Sequence, residues 1–287
     1  MKKIKRGWAL TKKSWGLLNE NRELIRFPLY GAVATIPLAF IFLGPGLYFL
    51  DDGSLAGAIP LLVIGVYVLS LVSFYFSVGL AAAADKIFRG EQATVGDGLA
   101  VARSRFSQIA GWAAVSTAIS VIMGALENQG GIAGTIAARF VGMAWSLVTF
   151  LAVPVIAIEG TGPFETLKRS AHLFKSRWGA QITGNIAIGG AVFLFGILPS
   201  LLLIGGGVLV WASASFVGAL LVVIGAIGVA ISILISNALN GIFGVALYHY
   251  TLDGEAVGGF TAEELESAVK TKGGGRNAPP TATPGTV

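Results

Sequence analysis

Polar residues do not alternate with apolar ones along most of this chain; they are swept into short clusters between long uncharged runs. The runs extend from Phe27 to Leu50, Gly53 to Ala84, Phe106 to Leu126, Phe140 to Ile158 and Trp178 to Leu252. About 20 apolar residues carry a helix across a bilayer, so each of the first four runs predicts one span. The fifth is long enough for two generous spans or three tight ones, giving six or seven in all. Gly205-Gly206-Gly207 offers the break, predicting helices over Ala180 to Ile204 and Val208 to Ser236, with NALNGIFGVALYHY continuing the last helix toward the interface. The expected fold class is all-α: an integral membrane bundle of six transmembrane helices forming one domain over 1–268. A Gly/Pro/Thr-rich stretch over 269–287 reads as a disordered cytoplasmic tail.

Composition agrees with the pattern. The hydrophobic fraction is 54%, the charged fraction 12% and the mean hydropathy +0.77, against roughly a quarter charged residues in soluble domains. There are no cysteines, which excludes disulfides, thiolate metal sites and thiol catalysis. The apolar run after the basic N-terminus is too long for a signal-peptide core and is read as a retained first span. Lys and Arg placement sets the orientation, since positive loops stay cytoplasmic. Lys2, Lys3, Lys5, Arg6, Lys12, Lys13, Arg22 and Arg26 precede the first run; Lys86, Arg89, Arg103 and Arg105 lie between runs two and three; Lys168, Arg169, Lys175 and Arg177 follow run four. The other side carries Asp51, Asp52, Glu127 and Arg139. The N-terminus is therefore expected in the cytoplasm, and with six spans the C-terminus too.

An internal similarity organises the clusters. VGLAAAADKIFRGEQATVGDGL at 78–99 and FGVALYHYTLDGEAVGGFTAEEL at 243–265 share a small-residue helix end, a Gly-Glu pair and a helix start, and IAIEGTGPFETL repeats the theme in shortened form. The chain thus reads as three loosely repeated units, each an interfacial amphipathic helix plus a transmembrane hairpin, with an orphan interfacial helix at the C-terminus. In the third unit Pro163 opens a helix with Phe164, Leu167, Ala171, Phe174 and Trp178 as an apolar stripe and Lys168, Arg169, His172, Lys175 and Arg177 on the other faces. In the second, Thr94 and Asp97 have capping-box spacing, with Val95, Leu99, Ala102, Phe106 and Ile109 as the stripe. Lys168, Arg169, Lys175, Arg177, Arg103 and Arg105 are the candidate contacts to anionic lipid or a membrane partner.

Polar residues within spans are the other candidates, Asn185, Asn237 and Asn240 foremost. Ser70, Ser73 and Ser77 share a face of span two, and hydroxyls and amides of this kind commonly hydrogen-bond between helices. Asp85 and Glu159 close spans beside the basic helices, where local salt bridges are expected. The many glycines of the later spans predict close helix packing. No HExxH, nucleophile elbow, phosphate loop or carboxylate cluster occurs. No catalytic residue, cofactor or metal site is expected, and no enzyme activity.

RGWALTKKSW at 6–15, VPVIAIEGTGPFETLKRSAHLFKSRWGAQITGN at 153–185 and ALYHYTLDGEAVGGF at 246–260 together resemble a family of prokaryotic multi-pass membrane proteins known only as a domain of unknown function. That resemblance implies a six-helix protein of a bacterial or archaeal cytoplasmic membrane. The layout is also similar, more weakly, to the membrane domain fused to some glycerophosphodiester phosphodiesterases. The function expected is non-enzymatic engagement of membrane lipids, anionic headgroups included, through the basic interfacial helices, with no nucleic-acid partner. The alternative is a small-solute transporter or permease component with Asn185, Asn237 and Asn240 at a midplane polar site.

Overall fold

The computed structural model describes residues 14–129, 131–178, 192–211, 213–262 and 265. All the regular structure among them is helical. After a short helical segment at 14–20, α1 (Glu23–Asp51) and α2 (Leu55–Phe88) form a hairpin turned at Gly53, whose φ of 76° suits glycine. α3 (Val95–Ser104) folds back on the end of α2, and α4 (Phe106–Gln129) follows at once. α5 (Gly131–Thr149), α6 (Ala152–Glu159) and α7 (Pro163–Trp178) lead to a π-helical turn (Phe193–Ile197), α8 (Leu198–Val210) and the 39-residue α9 (Ser215–Asp253).

Among the described residues, five segments are long and apolar enough to cross a membrane: Glu23–Asp51, Leu55–Phe88, Phe106–Glu127, Phe193–Val210 and Ser215–Asp253. The chain is a multi-pass membrane protein by that measure. The expected fourth span, Phe140 to Ile158, is not one helix. It is divided between α5 and α6 by a break at Phe150 and Leu151. Pro154 lies in the first turn of α6, where its missing N–H costs nothing but could not have bonded back to Phe150 in a continuous helix. The expected break at Gly205 to Gly207 is also corrected: these glycines lie inside α8, which runs on to Val210 before the chain reverses into α9. Gly207 faces the Gly218 carbonyl across the α8–α9 hairpin, so the glycine serves close packing and not chain reversal. Of the expected Ala180 to Ile204 helix, residues 180–191, Asn185 among them, lie outside the described residues, as does the tail at 269–287.

The hairpin of α8 and α9 is joined through reciprocal glycine–serine contacts. Ser200 Oγ donates to the Gly196 carbonyl at 2.8 Å and Ser232 Oγ to the Gly228 carbonyl at 2.7 Å. Each serine also rests on the glycine of the opposite segment, Ser232 on Gly196 and Ser200 on Gly228. A glycine and a serine four positions apart on each segment let the backbones approach.

The packed core sits at one end of this bundle. It gathers Leu18, Leu24, Phe27, Val78 to Ala84, Trp112, Leu151 to Ala157, Leu173, the last turns of α9 from Ala238, and Phe260. Phe27 is fully buried between Gly79 and Gly98; a Cβ on Gly98 would overlap the Gly79 carbonyl oxygen and the Phe27 ring. Trp112 stacks on Trp145 at 5.8 Å between ring centroids. Both ends of the described chain join this base, since Gly258 lies against Leu17 and Phe88. At the far end the apolar side chains are bare: Phe40 is 76% exposed, Leu209 83% and Phe216 81%.

Candidate functional site

The charged residues of the base are held where helices end. α6 and α9 both stop at a glycine in the left-handed conformation, Gly160 (φ 68°) and Gly254 (φ 76°), and α2 ends at Phe88, with Arg89 between it and Gly90 (φ 81°). That conformation lets the glycine N–H reach back to carbonyls of the last turn, as Gly160 does to Ile156 at 3.1 Å. Gly160 is needed twice over, because the Arg105 guanidinium packs on its α-carbon, leaving no room for a Cβ.

The residues just before these glycines build a two-part network. Asp85, on α2, accepts from Arg89 at 2.9 Å and pairs with Nε2 of His249, on α9, at 2.7 Å. Asp85 and His249 each stand five residues before a left-handed glycine. Next to this pair, Glu159 at the end of α6 receives Arg169 Nε from α7 at 2.8 Å and the Tyr248 hydroxyl from α9 at 2.7 Å. Four helices are thereby tied by six side chains. The hydrogen bond to Glu159 holds the Arg169 guanidinium protonated to higher pH than usual, against the opposing effect of its partial burial. The salt bridges expected for Asp85 and Glu159 are present; the contact of Tyr248 and His249 with those two carboxylates was not foreseen. The only sequence signal for it was the repeat, which places His249 and Asp85 at equivalent positions.

α7 itself is turned from its expected register. Its buried face is Thr166, Ser170, Leu173 and Phe174, while Phe164, expected to lead the apolar stripe, is 70% exposed. The helix is rotated by about a quarter turn, counted at 100° per residue. Hydrogen bonding explains the choice. Ser170 Oγ accepts the N–H of Leu151 at 3.2 Å, satisfying a backbone donor freed by the break between α5 and α6. Thr166 Oγ1 donates to the Thr161 carbonyl at 3.1 Å and lies 2.7 Å from the Thr161 hydroxyl.

The basic candidates fall into separate groups. Lys168 and Lys175 are exposed on the outer face of α7, and Arg103 is exposed on α3. Arg169 turns inward to Glu159 and Arg105 lies on Gly160 with a buried Nε that has no hydrogen-bond partner among the described residues. The Arg177 side chain lies outside the described residues. α3 is fixed by its capping box: Thr94 Oγ1 accepts from the Asp97 N–H at 3.2 Å, and Asp97 Oδ2 accepts from the Thr94 N–H at 2.9 Å. Asp97 also meets Lys86 at 3.1 Å. The Thr94 backbone bond, then Lys86 and the Thr94 hydroxyl, pull the Asp97 carboxyl down to about 2.

The polar spans give a different picture. Asn240 donates to Ser236 Oγ at 3.3 Å, on its own helix. Asn237 faces a cavity of about 230 Å³ between α1, α2 and α9. No group of three or more His, Asp or Glu suited to a metal occurs among the described residues.

The chain matches a family model over residues 55–259, and so belongs to the family of unknown function DUF6159. No curated protein and no solved structure matches it.

Proposed function

Taking that membership as the premise, we propose that this is a multi-pass protein of a bacterial or archaeal cytoplasmic membrane whose basic end meets the anionic headgroups of the cytoplasmic leaflet. One observation carries the reading: Phe164, Lys168 and Lys175 are all exposed on α7 and fall within about 40° of one another around the helix. An outward aromatic beside two lysines is the composition of a helix lying in the headgroup plane, with its ring at the apolar boundary and its ammonium groups at the phosphates. Arg103 adds a third exposed cation on α3. The contact of the two described chain ends at the base supports an even number of crossings, six in this reading, and the bias of Lys and Arg favours that end as cytoplasmic.

The test is binding of the purified full chain, in neutral detergent, to vesicles with and without anionic lipid. Each near-surface lysine contributes about 1 kcal/mol, so removing both with Lys168→Gln and Lys175→Gln weakens binding roughly 30-fold at low salt. Arg169 is left intact because it holds Glu159. Undiminished anionic-vesicle binding by the folded double variant overturns the proposal.

A second reading, a small-solute permease, draws its support from Asn237 at the cavity. It predicts solute flux in proteoliposomes that falls when Asn237 and Asn240 are changed to Leu. The layout similarity to the phosphodiesterase-linked membrane domain is an analogy of arrangement and supplies no activity.

A further inference from the structure

The cavity at Asn237 is bounded by Pro28, Gly31, Ala32 and Thr35 of α1, by Ser73, Phe76, Ser77 and Leu80 of α2, and by Ile233, Leu234 and Asn237 of α9. Its chemistry is specific. Among the described residues no charged side chain lines it, so this lining does not fit ions or charged solutes. The walls are apolar, and four hydrogen-bonding side chains converge: Thr35, Ser73, Ser77 and Asn237. Ser77 Oγ donates to the Ser73 carbonyl at 2.8 Å. The Thr35 and Ser73 hydroxyls and the Asn237 amide have no hydrogen-bond partner among the described residues. Asn237 and Ser73 are exposed, so in a membrane these donors face lipid and not packed protein. A polar group facing hydrocarbon without a partner is costly. Three such groups around one groove ask for a ligand that brings acceptors.

Depth narrows the ligand further. Arg26, exposed and paired with Glu23, marks the charged end of α1. At 1.5 Å per residue the groove, from Pro28 to Thr35, begins about 3 Å beyond it and ends about 13 Å beyond it. That is the zone where a leaflet passes from headgroups into hydrocarbon. The uncharged acceptors at that depth are the ester carbonyls of glycerolipids. Beside the groove, Val33, Ile36 and Ile233 are exposed apolar residues along which an acyl chain can run.

We propose that the groove between α1, α2 and α9 is a binding site for one glycerolipid, held by hydrogen bonds from Asn237, Ser73 and Thr35 to its acyl-ester carbonyls, with an acyl chain against Phe76 and Ile233. The site is independent of the cationic face of α7, because neither its residues nor its ligand atoms are charged.

The experiment reconstitutes the full chain in phosphatidylcholine vesicles doped with phosphatidylcholine bearing a diazirine near the start of one acyl chain, and maps the photo-adducts. Adducts on 28–35 and 233–237 are expected to exceed those on the bare face at 201–209. Replacing the doped lipid by its ether-linked analogue, which lacks both carbonyls, lowers the groove adducts about fivefold, an ordinary hydrogen bond's worth, and leaves those at 201–209 unchanged. This arm uses the unaltered protein and so does not depend on a variant folding. Asn237→Leu gives the same loss with the ester lipid. Equal labelling of groove and bare face, or equal groove labelling by ester and ether lipids, overturns the proposal. Displacement of the adducts by a neutral solute that the protein transports also overturns it, in favour of a solute site.

Discussion

Phe27 and Phe40 are the same residue on the same helix, between three and four turns apart, and their surroundings are opposite: one is fully buried and the other 76% exposed. The difference separates two regions of the molecule. In the base, packing is dense, glycines admit neighbouring backbones, and helix ends are closed by the Thr94 capping box and by Gly160 and Gly254 in the left-handed conformation. At the far end, α1, α8 and α9 present bare apolar faces, and the close glycine contacts join the two helices of a hairpin. Both side chains are phenylalanines, so side-chain hydrophobicity alone does not decide burial here. What decides it is solvent: the base hides apolar surface from water, whereas the far end has lipid to face, which is as apolar as its own side chains.

The sharpest way to break this comparison is truncation at both sites. Phe27→Ala leaves a cavity against Gly79 and Gly98 and should lower stability by about 3–5 kcal/mol, while Phe40→Ala should change it by less than about 0.5 kcal/mol. Thermal unfolding in one detergent measures both, and equal losses would erase the distinction. Next in size is Glu159→Gln, which strips the countercharge from Arg169 and weakens the Tyr248 bond; about 2 kcal/mol is expected for hydrogen bonds to a charged group that is partly screened. Tyr248→Phe added to that variant should cost little more than Glu159→Gln alone, because the two share one oxygen. A smaller loss, about 1–2 kcal/mol, is expected for Ser170→Ala, which orphans the buried N–H of Leu151.

The smallest effect concerns pH. The Asp97 carboxyl is depressed from the ordinary 3.8 to about 2, so its caps stabilise α3 fully above pH 4 and that contribution fades as pH falls through about 2. Amide exchange at Asp97 and Gly98 should accelerate over that window, and Asp97→Asn should remove the pH dependence. No change in exchange between pH 4 and pH 2 would contradict the capping geometry.

The parts of this fold that follow from local pattern were legible in the sequence. The first three apolar runs appear as helices whose bounds lie within a few residues of those expected, the capping box at Thr94 is formed, and Gly90, Gly160 and Gly254 stand at helix ends. The parts set by contacts between distant segments were not legible. The register of α7 is fixed by Ser170 accepting from Leu151, nineteen residues away in sequence, and no periodicity reports which backbone donor will lack a partner. Gly205 to Gly207 look like a turn because glycine breaks helices in water, yet here Gly207 is spent on contact with Gly218. The His249–Asp85 pair spans 164 residues. The candidate lysines were readable by composition, whereas the separation of Arg169 and Arg105 from them depends on where Glu159 and Gly160 come to lie.

The length of α9 has a mechanical consequence. Thirty-nine residues rise about 58 Å, nearly twice the roughly 30 Å of a hydrocarbon layer, and from Ser215 to Leu247 the helix has no charge that would fix its level. Its vertical position is set from below, by Tyr248 and His249 clasped to Glu159 and Asp85. A thinner or thicker bilayer therefore moves the lipid boundary along the uncharged shaft at only a modest cost. The clasp stays as it is, so on α9 a change of thickness is taken up at the far end, whereas Asp51 and Asp52 mark that boundary for the hairpin of α1 and α2.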